Sequence, residues 1–311
     1  LASGDLDGAQ VRLEGALGDA PEASGGMAEA WLAWLLMNQG RPAETLGLVR
    51  QQTGRGLAVY RFPNAYGGMV ATMALAMLGR VDEALSTLDT LESDVARMGA
   101  HRWTPRPLNL RGWIVRNLGE LGEADELNRA AIDSARAHGL DEPLANGLLD
   151  LASGRLLAGD FDGAHTLLRE AMPLTEVEHA FRWRHELRGR LIRARLDQAT
   201  GDFDGALAGA QSLATDAALL GTPRYEIQAR LVAAMSAHQV GATPDLETVA
   251  GLLTHLDEVA GLEGWWITAE VARVFGVHEW EELAGRRVHS LRRRAGARAE
   301  ALDRAATRYL G

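Results

Sequence analysis

The side chains best suited to chemistry in this chain are arginines. Arg182, Arg184, Arg188, Arg190, Arg193 and Arg195 crowd one short stretch. Arg184, Arg188 and Arg195 recur at helical spacing, so they share one face of a helix. A guanidinium presents paired donors in a rigid fork, and such a face could clamp a carboxylate or another anion. The competing reading is a solvated face, ion-paired to acids such as Glu176, Glu178 and Glu186. An acid-rich chain makes that pairing easy.

Other chemistry-bearing patterns dissolve on inspection. Asp-x-Asp-Gly at 5–8, 160–163 and 202–205 imitates the start of a calcium loop. A calcium loop needs further oxygen ligands and a late glutamate, whereas here the chain is expected to enter a helix at once. Turn and helix-cap chemistry explains the string instead. His179 and His185 are six apart, not a one-face metal spacing, and His278-Glu279 has no third partner. There is no cysteine, and all 32 basic residues are arginine. Without lysine there is no P-loop cation and no Schiff-base amine. Neither a Gly-x-Ser-x-Gly elbow nor a dinucleotide fingerprint occurs. The expectation is a chain that is not an enzyme and holds no cofactor or metal.

The net charge of −10 disfavours nucleic acid as a partner, because phosphate neutralisation dominates such binding. Charge is uneven: from Arg286 to Gly311 eight arginines face only Glu300 and Asp303. This basic end is expected to serve as a capping helix or as a charge partner for the acidic remainder. No stretch approaches the roughly 18 uninterrupted apolar residues of a membrane helix, and no signal peptide is visible, so the expected location is cytoplasmic.

Seven glycines punctuate the chain about forty residues apart: Gly4, Gly40, Gly79, Gly119, Gly159, Gly201 and Gly241. A period of this length marks one supersecondary unit stacked on copies of itself. Each glycine is read as the C-terminal cap of one helix, with Asp residues after it favouring the start of the next. First helices are expected near 27–39, 64–78, 106–118, 143–158, 181–199 and 224–239. Second helices are expected near 5–18, 42–53, 82–98, 121–138, 161–172, 203–219 and 245–259. Pro63, Pro105, Pro107, Pro143, Pro223 and Pro244 fall at or near helix starts, where proline is tolerated. Small residues recur seven before the glycine (Ala33, Thr72, Gly112, Ala152, Ala194, Ala234) and five after it (Ala9, Ala84, Ala124, Ala164, Ala206, with Thr45 and Leu246 as exceptions).

Glycine at the turn and alanine in the second helix resemble the tetratricopeptide repeat over residues 1–259. The period exceeds the usual 34 of that family, so helices about one turn longer are expected. The resemblance implies an all-α right-handed superhelix, an α-solenoid of antiparallel helix pairs, with about seven repeats. After Ala260 the rhythm breaks, and Trp265, Trp266, Phe275 and Trp280 lead into an arginine-rich helix. Residues 260–311 are read as a helical cap, the alternative being an oligomerisation or docking element. Long repeats of this kind, with Arg106-Pro107-Leu108-Asn109-Leu110-Arg111-Gly112-Trp113 ahead of Gly119-Glu120, resemble the sensor arms of bacterial signal-transduction ATPases and transcriptional regulators. The chain begins three residues before a repeat glycine, as a piece of a longer polypeptide would.

In tetratricopeptide arrays the first helices line a concave groove. That resemblance nominates Trp34, Tyr66, Met69, Met73, Arg106, Asn109, Trp113, Arg116, Asn117, Asn146, Arg188, Arg195, Gln198 and Gln228, to which the shared arginine face adds Arg184. The N-terminal half of this groove is apolar and Met-rich, and its later half is polar and basic. The expected partner is a protein or peptide with acidic and apolar parts. Asn109, Asn117 and Asn146 would hold its backbone, Arg188 and Arg195 its acidic groups, and Trp113 and Met73 its apolar anchors. A covalently linked ATPase or effector module would be a second partner. The alternatives are a small effector closed in by Trp34, Tyr66, Trp113 and Arg106, or an oligomerisation arm; the oligomeric state is left open.

Overall fold

The computed structural model describes residues 4–19, 27–54, 61–177, 179, 182–243 and 245–310. Among them sixteen α-helices and no strands are found. They are α1 (Leu6–Asp19), α2 (Met27–Asn38), α3 (Pro42–Gly54), α4 (Arg61–Met77), α5 (Val81–Arg97), α6 (Pro105–Asn117), α7 (Leu121–Ala137) and α8 (Asp141–Leu157). Then follow α9 (Phe161–Thr175), α10 (Arg182–Ala199), α11 (Phe203–Leu219), α12 (Pro223–Gln239), α13 (Leu246–Ala260), α14 (Gly264–Phe275), α15 (His278–Arg292) and α16 (Ala299–Leu310). The chain is an all-α solenoid of tetratricopeptide-like helix pairs, as its period implies. Leu1, Glu178 and Pro244, and the expected helix start at 181, lie outside the described residues.

The repeat glycines explain why the helices break where they do. All seven adopt φ between 68° and 92°. At Gly119 the amide donates to the Arg116 carbonyl (2.9 Å), and Glu120 N–H reaches back to Val115 (3.1 Å). These bonds satisfy carbonyls that the helix end would otherwise leave unpaired. Asp160 and Asp202 then accept from the amides of Gly163 and Gly205 (3.0 Å each), capping α9 and α11. Helix caps, not calcium ligation, account for these Asp-x-Asp-Gly strings.

Small residues let paired helices approach. Ala33, Thr72, Ala84, Ala152, Ala164 and Ala206 are completely buried. A Cβ on Gly112 would stand 2.8 Å from the Asn128 side chain of α7. Thr45 takes the place of alanine without penalty, because its hydroxyl donates to the Ala33 and Arg41 carbonyls. Around these contacts Leu88, Ile114, Leu148, Leu168 and Leu213 are fully buried, each contributing about 1.5–3 kcal/mol.

The array does not remain an open trough. Its first four turns lie against the C-terminal part of the chain: Gly4 on Leu220, Gly40 on Val259 and Pro223, Gly79 on Leu291, Gly119 on Ala305. Two backbone bonds seal the seam at Gly79. Gly261 N–H donates to Met77 O (3.0 Å), and Asp82 N–H to Arg294 O (2.8 Å). Arg298 forks onto Glu120 and Glu123, while Arg287 is buried on Asp257 (2.6 Å) and the Leu253 carbonyl (2.5 Å). The basic end is thus a charge partner of the acidic array. Trp265, Trp266 and Trp280 are buried within the chain, so none of them offers an outer face to a second copy of it.

Two glycines separate the cost of the turn from the cost of closure. A Cβ on Gly119 (φ 86°) would sit 2.1 Å from the Ala305 Cβ, whereas one on Gly159 (φ 78°) would meet nothing. Gly159→Ala should therefore cost about 1 kcal/mol, the left-handed backbone penalty alone. Gly119→Ala should cost about 1–3 kcal/mol more through overpacking. Chemical denaturation of both variants checks the difference; equal losses would mean that the seam is not packed.

Candidate functional site: a pocket inside the closed superhelix

Folding the array back on itself leaves a pocket walled by the first helices of six pairs and by the start of α14. Trp34 comes from α2, Met69 and Met73 from α4, and Arg106, Asn109, Trp113 and Arg116 from α6. Asn146 and Asp150 follow from α8, Arg184, Arg188 and Arg195 from α10, and Arg224, Tyr225 and Gln228 from α12. Glu263 and Trp266 close the opposite wall. Twelve of the fifteen nominated residues are therefore brought together.

The other three lie elsewhere. Tyr66 stands edge-on to Trp103 (4.9 Å between ring centres) and tilts against Trp31. Asn117 is fully buried and donates to the Trp113 carbonyl (2.8 Å). Its own side-chain oxygen accepts from Trp266 Nε1, and its backbone carbonyl accepts from Trp265 Nε1, each at 2.9 Å. It fastens the C-terminal part to α6 and is not free to hold a ligand. Gln198, near the end of α10, does not line the pocket.

Asn109 and Asn146 are likewise engaged within the chain. Asn109 Nδ2 donates to Asn128 Oδ1 (2.9 Å) and Asp150 Oδ2 (2.8 Å), and Asn146 donates to Asn109. Buried polar groups need such partners, so these asparagines build a wall rather than offer a backbone clamp. Asp150, on the inner face of α8, is the centre of that wall. It accepts from Arg116 (2.5 Å) and from Arg188, which also reaches Asn146 (2.7 Å). Burial by itself would raise the Asp150 pKa, but Arg188 and Arg116 outweigh it and hold the carboxyl below its ordinary range.

Arg184, Arg188 and Arg195 do not form a solvated face. Arg184 is 8% exposed, and Arg188 and Arg195 are nearly as enclosed. Their partners are not the flanking glutamates but Asp150 for Arg188 and Glu270 (2.6 Å) for Arg195, which also lies over the Trp266 ring (4.4 Å). Beside them His185 contacts His179. Burial drives its pKa well below the ordinary value, and Arg184 pushes the same way, so the ring adds no charge near neutrality.

Glu263 ties the closing wall to the array. It accepts from Trp113 Nε1 (3.0 Å), from Arg224 (2.7 and 3.2 Å) and from Gln228 (3.1 Å). Arg224 in turn lies over the Trp113 ring at 5.5 Å. Burial would raise the Glu263 pKa, yet Arg224, helped by Arg116 and the Trp113 N–H, brings it down to about 2.

Glu142, Asp150, Arg224, Tyr225, Glu263 and Trp266 were not among the nominated residues. A signal for two of them is present: Glu142, Arg184 and Arg224 each stand seventeen residues before a turn glycine. They form an extra rung that the longer helices add beyond the usual groove positions. Glu263 and Trp266 fall outside the period and enter the site only through closure.

The Glu263 carboxyl releases its proton near pH 2 when folded, against an ordinary 4.5. As pH falls the unfolded chain takes up the proton first, so this contribution to stability is complete above pH 4.5 and is lost on the way down to 2. Glu263→Gln should flatten that part of the stability–pH curve and cost about 3 kcal/mol at neutrality, because Arg224 loses its buried counter-charge. Denaturation from pH 7 to 2 checks both; a slope unchanged in the variant would remove Glu263 from this role.

No family model matches the chain, and no curated protein matches it. Among solved structures it is similar to a Signal Transduction ATPase with Numerous Domains (STAND) protein with a tetratricopeptide repeat sensor from Pyrococcus horikoshii. The two are 14% identical, the match covers 96% of this chain and 48% of that one, and the TM-score is 0.48. This chain thus spans about half the length of that protein.

Proposed function

We propose that the chain is a non-catalytic sensor arm that binds a small effector inside the superhelix. The observation that carries this reading is the bond from Trp113 to Glu263, 150 residues apart, across the inner face. An extended peptide would need a continuous track along the first helices, and the closing wall stands on that track. A compact ligand meets no such obstacle, and pockets of this kind bind by surrounding their ligand with apolar walls and a few placed polar groups. Trp34, Trp113 and Arg106, three of the four residues expected to enclose a small effector, line this pocket, while Tyr66 packs outside its lining on Trp103 and Trp31.

Because the first helices of six pairs contribute to the pocket wall, a ligand there would contact elements that sit far apart in the chain. Binding would favour one curvature of the array over another in proportion to its differential affinity. The resemblance of the repeats to the arms of signalling ATPases supplies the purpose: a linked ATPase or effector module would read that curvature. Nothing in the pocket requires a nucleophile or a metal for this role.

Native mass spectrometry after incubation with a metabolite extract tests the reading. The expected result is a discrete small-molecule adduct, at least tenfold weaker in Trp34→Ala. Capture of an extended peptide whose binding depends on the same tryptophan, with no small-molecule adduct, would overturn it.

A further inference from the structure

The charge balance inside the pocket does not close. Six arginines line it (Arg106, Arg116, Arg184, Arg188, Arg195 and Arg224) against three carboxylates, Glu142, Asp150 and Glu263. Counting Glu270, the partner of Arg195, still leaves two positive charges in excess. Arg106 pairs with Glu142 (2.7 Å), Arg116 and Arg188 share Asp150, and Arg224 pairs with Glu263. Arg184 has no carboxylate partner among the described residues. Its guanidinium lies over the Trp34 ring at 5.2 Å, its Nε is buried without an acceptor, and the residue is 92% buried, as its 8% exposure implies.

Such a group is costly. Guanidinium does not give up its proton in proteins, so Arg184 cannot escape by becoming neutral. A buried charge is ordinarily paired, and an unpaired one marks a place where something else supplies the counter-charge. The surroundings sharpen the cost: Arg188 stands one helical turn away, and Arg224 is on the adjacent first helix. The acids nearby are already committed. Asp150 serves two arginines and an asparagine, and Glu263 receives Trp113, Arg224 and Gln228.

Resting on the internal-pocket reading above, we propose that the effector is a small organic anion. Its carboxylate or phosphate meets Arg184, flanked by Arg188 and Arg224, and its apolar part lies against Trp34, Met69 and Met73. Arg184 is the residue that specifies the charge. The rigid fork suits either oxyanion, since each offers two oxygens to parallel N–H donors. Trp34 presents its face to the guanidinium and contributes to the apolar wall, where Met69 and Met73 adapt to the shape of the attached group.

The probes are phenyl phosphate, benzoate, inorganic phosphate and neutral phenol, each read by thermal unfolding at constant ionic strength set with sodium chloride. Phenyl phosphate and benzoate are expected to raise the Tm saturably, phenyl phosphate at a half-saturation at least tenfold below that of inorganic phosphate. Arg184→Met should weaken all three anions at least tenfold, while Arg190→Met, at an exposed ion pair with Asp216, leaves them unchanged. Arg184→Met should also fold, and melt no lower than wild type without added anion, since it removes an unpaired buried charge. Anion stabilisation that is undiminished in Arg184→Met overturns the proposal. Saturable binding of phenol alone, equal in wild type and Arg184→Met, overturns the anion assignment but keeps the pocket. No saturable effect of any probe overturns the assignment and the pocket reading together.

Discussion

A carboxylate that must carry its charge into the interior organises this molecule. Glu263 is buried, and a buried charge is tolerated only where donors surround it. Those donors come from α6 and α12, helices that belong to repeats well apart in the chain. Satisfying one side chain therefore fixes where the end of the solenoid crosses its own inner face. Removing Arg224 would take away the nearest counter-charge of Glu263 in a medium where charge is expensive. The closing wall of the pocket follows from that placement, and the seams at the turns hold the rest of the closure.

The extra turn in each helix is the second determinant. A tetratricopeptide array of ordinary length presents a groove of fixed depth. Here Glu142, Arg184 and Arg224 add a rung at the far end of the first helices. On that rung Glu142 takes Arg106 and Arg224 takes Glu263, so two of the three positions are neutralised. Arg184 has the Trp34 ring in place of a carboxylate. The asymmetry leaves an unneutralised arginine in a pocket that Met69 and Met73 also line.

Much of this is legible in the sequence alone. The glycine period, the small residues at the helix–helix contact and the shared face of Arg184, Arg188 and Arg195 are local patterns, and local patterns survive in a single sequence. A second series was equally readable: Gly99, Gly139 and Gly221 follow Gly79, Gly119 and Gly201 by twenty residues and adopt the same left-handed backbone. What periodicity could not supply was closure. Glu263, Trp265 and Trp266 belong to no repeat, and their partners Trp113 and Asn117 look in sequence like ordinary groove positions. The solvated-face reading of α10 failed for the same reason. Exposure depends on what lies across the inner face, and that is a long-range fact.

Closure has a direct reporter in one backbone amide. Asp82 lies in the first turn of α5, where helix amides have no acceptor within their own helix. Here its N–H donates to Arg294 O at 2.8 Å, a bond that exists only if the end of the chain folds back onto the early repeats. Asp162 and Asp204 occupy the corresponding positions of α9 and α11, after turn glycines where a Cβ would meet nothing within 4 Å. Residue-resolved hydrogen exchange compares them within one experiment. The closed superhelix predicts that the Asp82 amide exchanges at least a hundredfold more slowly than those of Asp162 and Asp204. Equal rates at all three would mean that the array stands open and that the pocket described above does not form.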